Sequence, residues 1–215
     1  MIIAIDGPAA AGKGTLARRL AEALEFAHLD TGALYRAVGL GVLSAGQDPA
    51  DAHAALAVAE ALRPASLSDP ALRKEETGKA ASIVSVHPQV RSALLKFQHD
   101  FAKNPPNGAA GAVLEGRDIG TVVCPDADVK LFIDADLEVR AERRLAELRV
   151  EDRSQTLGAV LAEMAARDER DRNRANSPLE VSPDAHLLDT TVLDIDGAFE
   201  AAMKVIGGAK KAAGS

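Results

Sequence analysis

The chain opens Met1-Ile2-Ile3-Ala4-Ile5-Asp6-Gly7-Pro8-Ala9-Ala10-Ala11-Gly12-Lys13-Gly14-Thr15, and no other stretch restricts the possible folds as tightly. An apolar run of the kind that lies buried in a parallel sheet ends at Asp6. A loop punctuated by Gly7 and Gly12 then leads into apolar residues at helical spacing, namely Leu16, Ala17, Leu20 and Leu24. Two glycines bracketing four residues, followed by lysine, have the spacing of a phosphate-binding loop. Glycines let backbone amides turn inward around an anion, and the positive end of the following helix adds to the attraction. Lys13 supplies a mobile charge for terminal phosphates, and Thr15 places a hydroxyl near a magnesium ion carried by them. Gly14 departs from the strict pattern, which has Ser or Thr directly after the lysine. The loop formed by Gly7, Pro8, Ala9, Ala10, Ala11, Gly12, Lys13, Gly14 and Thr15 is therefore expected to hold a nucleoside triphosphate.

Composition narrows the partners. A net charge of −7 argues against a nucleic-acid or anionic-membrane surface, and 3% aromatic content leaves no platform for stacking single-stranded bases. At 215 residues and 47% hydrophobic content, the chain suffices for one aliphatic α/β core with small insertions. The single cysteine, Cys124, excludes an internal disulfide, and its apolar surroundings suggest a buried small residue. His28, His53, His87, His99 and His186 lack metal-ligand spacing. No apolar run reaches the ~20 residues of a membrane span, and the start has no signal-peptide layout. These features predict a cytoplasmic protein.

Strand and helix patterns alternate. Strands are expected near residues 1–6, 26–29, 112–114 and 129–133, with a last one from 187–188 and 192–195. Helices are expected over 13–24, from the turn Asp30-Thr31-Gly32 through Leu43, and over 197–206, with a frayed tail from 207 to 215. Residues 49–102 are alanine-rich and helical, interrupted near 64–70 and resuming after Pro88. They read as a lobe inserted into a core formed by 1–48 and 103–215. Residues 154–174 form a charged helix ending in Arg167-Asp168-Glu169-Arg170-Asp171-Arg172-Asn173-Arg174. A charge run of this kind is ordinarily a solvated face. Yet Arg167, Asp171 and Arg174 recur at i, i+4 and i+7, setting two guanidinium groups around a carboxylate. Without anionic ligands those cations are expected to lack partners and the segment to be mobile.

Three further stretches join the loop in one pattern: Leu29-Asp30-Thr31-Gly32-Ala33-Leu34-Tyr35-Arg36, Glu115-Gly116-Arg117-Asp118-Ile119-Gly120-Thr121, and the cluster from Arg167 to Arg174. Together with the Gly-Lys-Gly-Thr variant, they resemble the bacterial-type cytidylate kinases, a branch of the nucleoside monophosphate kinases, nearly end to end. The resemblance implies a parallel-sheet, three-layer α/β/α fold with a phosphate-binding loop. It also implies a helical acceptor-binding insertion at 49–102 and a short lid at 154–175. The implied reaction is ATP-dependent phosphorylation of CMP, and of dCMP, by a monomer. Mg²⁺ would be held through phosphates and water with no direct protein ligand.

By the same resemblance, Lys13, Arg36, Arg117 and Arg174 serve the transfer, with Arg36 and Arg117 gripping the acceptor phosphate. Ser82, Arg91 and Asp118 read the cytosine ring, Thr31 lies at the acceptor, Arg167 and Asp171 touch its sugar, and Arg174 closes over it. A carboxylate with an arginine complements cytosine's amine donor and its N3 and O2 acceptors. Read without the resemblance, Arg36 and Arg91 are equally solvated helix charges, Ser82 is an ordinary helix residue, and Asp30 or Thr31 is a helix cap. Tyr35 is expected to pack, and Asp134, despite ending a strand like a magnesium-binding aspartate, to be structural. UMP, AMP or a small metabolite remains an alternative acceptor. A guanine-nucleotide switch would require an Asn-Lys-x-Asp motif, which is absent. Between Arg63 and Ala80 the chain lacks the strand pattern that usually follows the first helix of this family's acceptor lobe, so the lobe reads as abbreviated.

Overall fold

The computed structural model describes residues 1–149 and 154–213. They divide into two compact units, Met1–Leu29 with Pro105–Ser215, and Asp30–Asn104. The division falls at 29/30 and 104/105, so the second helix packs with the helical unit, whereas the sequence reading put it in the core.

The first unit is built on a sheet of five strands: β1 (Ile2–Asp6), β2 (Ala27–Asp30), β3 (Ala112–Gly116), β4 (Val129–Asp134) and β5 (His186–Asp189), in the order β2-β3-β1-β4-β5. β1 runs parallel to β3 and β4, with Asp6 opposite both Gly116 and Phe132, and β4 runs parallel to β5. Chain order reverses at β1, which opens a crevice at the strands' carboxyl ends. The phosphate loop leaves the sheet there. Alternate residues of β1 and β4 (Ile3, Ile5, Val129, Leu131, Ile133) face α1 (Lys13–Leu24) and α8 (Ile195–Ala213) in one aliphatic cluster. Burying side chains of this size contributes about 1.5–3 kcal/mol each.

Two expectations for the C-terminal region are corrected. Residues 192–195 form no strand; Val192 is 92% exposed, and Asp194 accepts from the Gly197 amide at 2.8 Å, starting α8 early. The tail is helical through Ala213, because Ala202, Ile206 and Ala209 hold that helix in the α1 cluster. A helix absent from the sequence reading, α6 (Leu137–Leu148), pairs with α7 (Leu157–Asn173) through Ala141, Leu145, Val160 and Met164, and loop residues Ala9 and Ala10 pack against this cluster. Thr156 caps α7 by accepting from Ala159 N.

The second unit holds α2 (Thr31–Ser44), α3 (Ala52–Glu60), α4 (Glu75–Val84) and α5 (Pro88–Lys103). Its core is Leu34, Val38, Val42, Ala55, Val84, Val90 and Leu94. At Gly39 an added Cβ would lie 2.9 Å from Ala81 N, so α2 and α4 approach too closely for any larger residue. Residues 64–73 form two short 3₁₀ turns, and among the described residues after Asp30 this unit has no strand. No helix of the described residues is long and apolar enough to cross a membrane.

Candidate active site

Gly7 is fixed by close approach: at φ +149° its Cβ would sit 2.0 Å from the Ile133 carbonyl oxygen. Gly12, at φ +87°, precedes α1 without a side-chain cap, and a Cβ there would meet nothing within 4 Å. The positive end of α1 thus faces open space, as an anion cradle requires. Lys13 is half-buried and donates to Pro8 O at 3.3 Å, while Thr15 is exposed on the first turn. Gly14 has its own reason. A Cβ would lie 3.2 Å from both carboxylate oxygens of buried Glu115, which also contacts His28 Nε2 at 3.2 Å. A bulkier residue after the lysine would press on that carboxylate.

The arm after β3 carries Arg117 and Asp118. Its following turn (Ile119–Val123) is tied to β1, because Asp6 accepts from the amides of Ile119 and Gly120 at 2.7 Å each. Burial outweighs these bonds and pushes the Asp6 carboxyl up to about 6. Arg117 Nε donates to Asp171 Oδ2 at 2.9 Å, and Arg174 Nη2 lies 3.5 Å from Asp118 Oδ1. Burial alone would raise the Asp171 carboxyl. The guanidinium groups of Arg117, Arg167 and Arg174 outweigh it and hold the pKa below the usual carboxylate range.

The cations of this face are therefore paired in the protein itself, which corrects the expectation that they lack partners without anions. The arrangement brings Arg117, Asp118, Arg167, Asp171 and Arg174 together. Arg174 lies just beyond α7, in extended backbone, instead of on the helix itself.

In the helical unit, Asp30 caps α2 by accepting from Ala33 N at 3.2 Å, and its other oxygen takes Arg36 Nη2 at 2.6 Å. Arg36 is thereby aimed by a residue the sequence suggested only as a cap. Thr31 is buried at the start of α2. Arg91 is no solvated charge: it is 8% exposed, donates to Ser85 O at 3.3 Å and lies over the Tyr35 ring at 5.3 Å. Ser82 is buried, and its carbonyl accepts from Ser85 Oγ, so Ser82, Arg91 and Tyr35 share one neighbourhood. Asp134 accepts from Ala135 N at 2.9 Å, a structural use. Cys124 is buried.

Sequence reasoning missed Asp6, Glu115, Arg140, Asp168 and Thr190. Arg140 and Asp168 form an ion pair at 2.7 Å with each side chain 4% exposed. Removing one partner of such a pair costs about 3–5 kcal/mol. Asp6, a carboxylate ending an otherwise apolar strand, was the one legible signal.

The cytidylate kinase family model matches residues 3–207. The chain belongs to that family. It is 57% identical over 206 residues to the cytidylate kinase of Rhodospirillum rubrum, covering 96% of this chain and 97% of that one. It is 58% identical to that of Paramagnetospirillum magneticum, with the same coverage of each chain. A crystal structure of an uncharacterised protein from Eubacterium ventriosum shares the fold at TM-score 0.57 and 15% identity, over 96% of this chain and 98% of that one.

Proposed function

We propose that this cytidylate kinase transfers the terminal phosphoryl group of ATP to CMP, and to dCMP, by in-line displacement with no covalent intermediate. The observation that carries the reading is the Asp6 tie. It fixes the arm bearing Arg117 and Asp118 to the strand that feeds the phosphate loop, so donor and acceptor groups of the core unit share one scaffold. Lys13 and the loop amides hold the donor phosphates, and Lys13 neutralises charge that develops on the migrating group. Arg36 and Arg117 grip the acceptor phosphate, with Asp30 and Asp171 holding their guanidinium groups ready. Arg167 and Asp171 take the sugar, Arg174 closes on the acceptor, and Thr31 lines it.

Base choice follows from donors and acceptors. Asp118 accepts from the exocyclic amine of cytosine, where uracil presents a carbonyl that a carboxylate repels. Ser82 and Arg91 complete the reading. Mg²⁺ arrives with the nucleotide and neutralises phosphate charge. Among the described residues no three carboxylate, His or Cys groups cluster to hold a metal, and exposed Thr15 offers a hydroxyl at the loop. This reading carries a monomer acting in the cytoplasm.

The test is coupled ADP release across CMP, dCMP, UMP and AMP. CMP and dCMP should turn over, and Lys13→Met should lower the rate about a hundredfold or more. Preference for UMP or AMP, or near wild-type turnover by folded Lys13→Met, would refute the proposal.

A further inference from the structure

A phosphate loop binds anions only if its amides face inward, which requires its carbonyls to be held outward. Three side chains bind carbonyl oxygens of the loop here. Lys13 Nζ donates to Pro8 O at 3.3 Å, Arg140 Nη1 to Ala9 O at 3.3 Å, and Thr190 Oγ1 to Ala11 O at 3.0 Å. Arg140 reaches furthest. Its Nε donates to Ala135 O at 2.8 Å and its Nη2 to Asp168 Oδ2 at 2.7 Å, so one planar group joins the loop, the β4–α6 connection and α7. A guanidinium can serve three acceptors in fixed directions, whereas an ammonium on a flexible stem cannot hold that geometry. Asp168 precedes Asp171 by three residues on α7, and Asp171 takes Arg117. Polar contacts thus join the Ala9 carbonyl to Arg140 and Asp168, one turn of α7 connects Asp168 to Asp171, and Asp171 takes Arg117 on the arm after β3.

We propose that Arg140, oriented by Asp168, is a positioning residue for the donor phosphate loop. Its bridge to α7 makes donor binding favour acceptor binding. The assignment rests on the kinase reading only for the identity of the ligands.

The experiment measures affinity for a non-hydrolysable ATP analogue and for CMP, each alone and together, by titration calorimetry. Arg140→Lys keeps the charge pair with Asp168 and so protects folding. It should bind the analogue at least about tenfold more weakly, bind CMP alone within about threefold of wild type, and lose the gain in CMP affinity that the analogue confers. The double variant Arg140→Met/Asp168→Leu leaves no buried unpaired charge and should behave alike.

Analogue affinity within about twofold of wild type in either folded variant would overturn the assignment, as would equal weakening of both ligands, the mark of a merely structural role. Should wild type bind the analogue but fail to turn over CMP, the kinase reading falls while the analogue titration still decides the role of Arg140.

Discussion

Asp6 provides a test with both a sign and a size. Its carboxylate is 5% exposed, and burial lifts its pKa from 3.8 to about 6 despite the bonds from Ile119 and Gly120. Unfolded, the group titrates at its ordinary value. Between about pH 4 and 6 the native state therefore keeps a proton that the unfolded chain has released. The stabilisation is complete below the unfolded pKa and is lost as pH rises through the folded one. At about 1.4 kcal/mol per pH unit, the gap amounts to about 3 kcal/mol. Asp6→Asn removes the titration and leaves a pH-independent offset, because the amide carbonyl can accept only part of what two carboxylate oxygens accept.

Urea unfolding of both proteins from pH 4 to 7 isolates this group from every other titration. The stability of wild type relative to the variant should fall by about 2.4 kcal/mol across that range, most of the full gap. A difference constant within about 0.5 kcal/mol, or one that grows with pH, would refute the reasoning. The same proton has a kinetic side: protonated Asp6 loses an acceptor for the arm, so the acceptor KM of wild type should rise below about pH 6.

Asp118→Ala should lower the CMP-to-UMP ratio of kcat/KM by about ten- to hundredfold, the effect of losing a hydrogen bond to a charged acceptor, with the ATP KM unchanged. Steady-state kinetics on both acceptors check it, and an unaltered ratio would remove Asp118 from base reading. Gly7→Ala should cost about 3 kcal/mol or more, since the Cβ would lie 2.0 Å from a backbone oxygen of β4. Thermal unfolding checks it, and an unchanged Tm would show that the loop can give way. Asp171→Ala should raise the acceptor KM about tenfold and leave the ATP KM alone, because Arg117 loses the carboxylate that aims it.

What could be read from the sequence was what rests on local spacing. β1, the phosphate loop and α1 are legible because glycines at fixed offsets separate a continuous apolar run from apolar residues at helical spacing. That Arg167 and Asp171 share one face of α7 is legible from their spacing of four residues. Residues 192–195 misled because a short apolar run reads alike as strand or connection. Only the Asp194 cap, seen with its partner Gly197, decides between them. Arg140 and Asp168 were hidden in charged helices, where a solvated reading is the reasonable one. The loop carbonyl that Arg140 reaches, Ala9 O, lies 131 residues from it in the chain. The pairing of Arg117 with Asp171 was missed likewise, since the two are 54 residues apart.

The pairing of β1 also fixes an order of assembly. β1, made before the other described strands of its sheet, has as neighbours Ala112 of β3 and Val129 of β4, residues made only after the whole of Asp30–Asn104 has emerged. The core of the helical unit lies wholly within Asp30–Asn104 and can form once that stretch has emerged. β1 must wait with both edges unpaired for partners whose arrival closes a loop of more than a hundred residues. A ribosome-bound chain ending before Ala112 thus carries an apolar strand with nothing to join, the state in which aggregation competes with folding. The phosphate loop is made before the strands that flank β1, and takes its shape only once they have joined it.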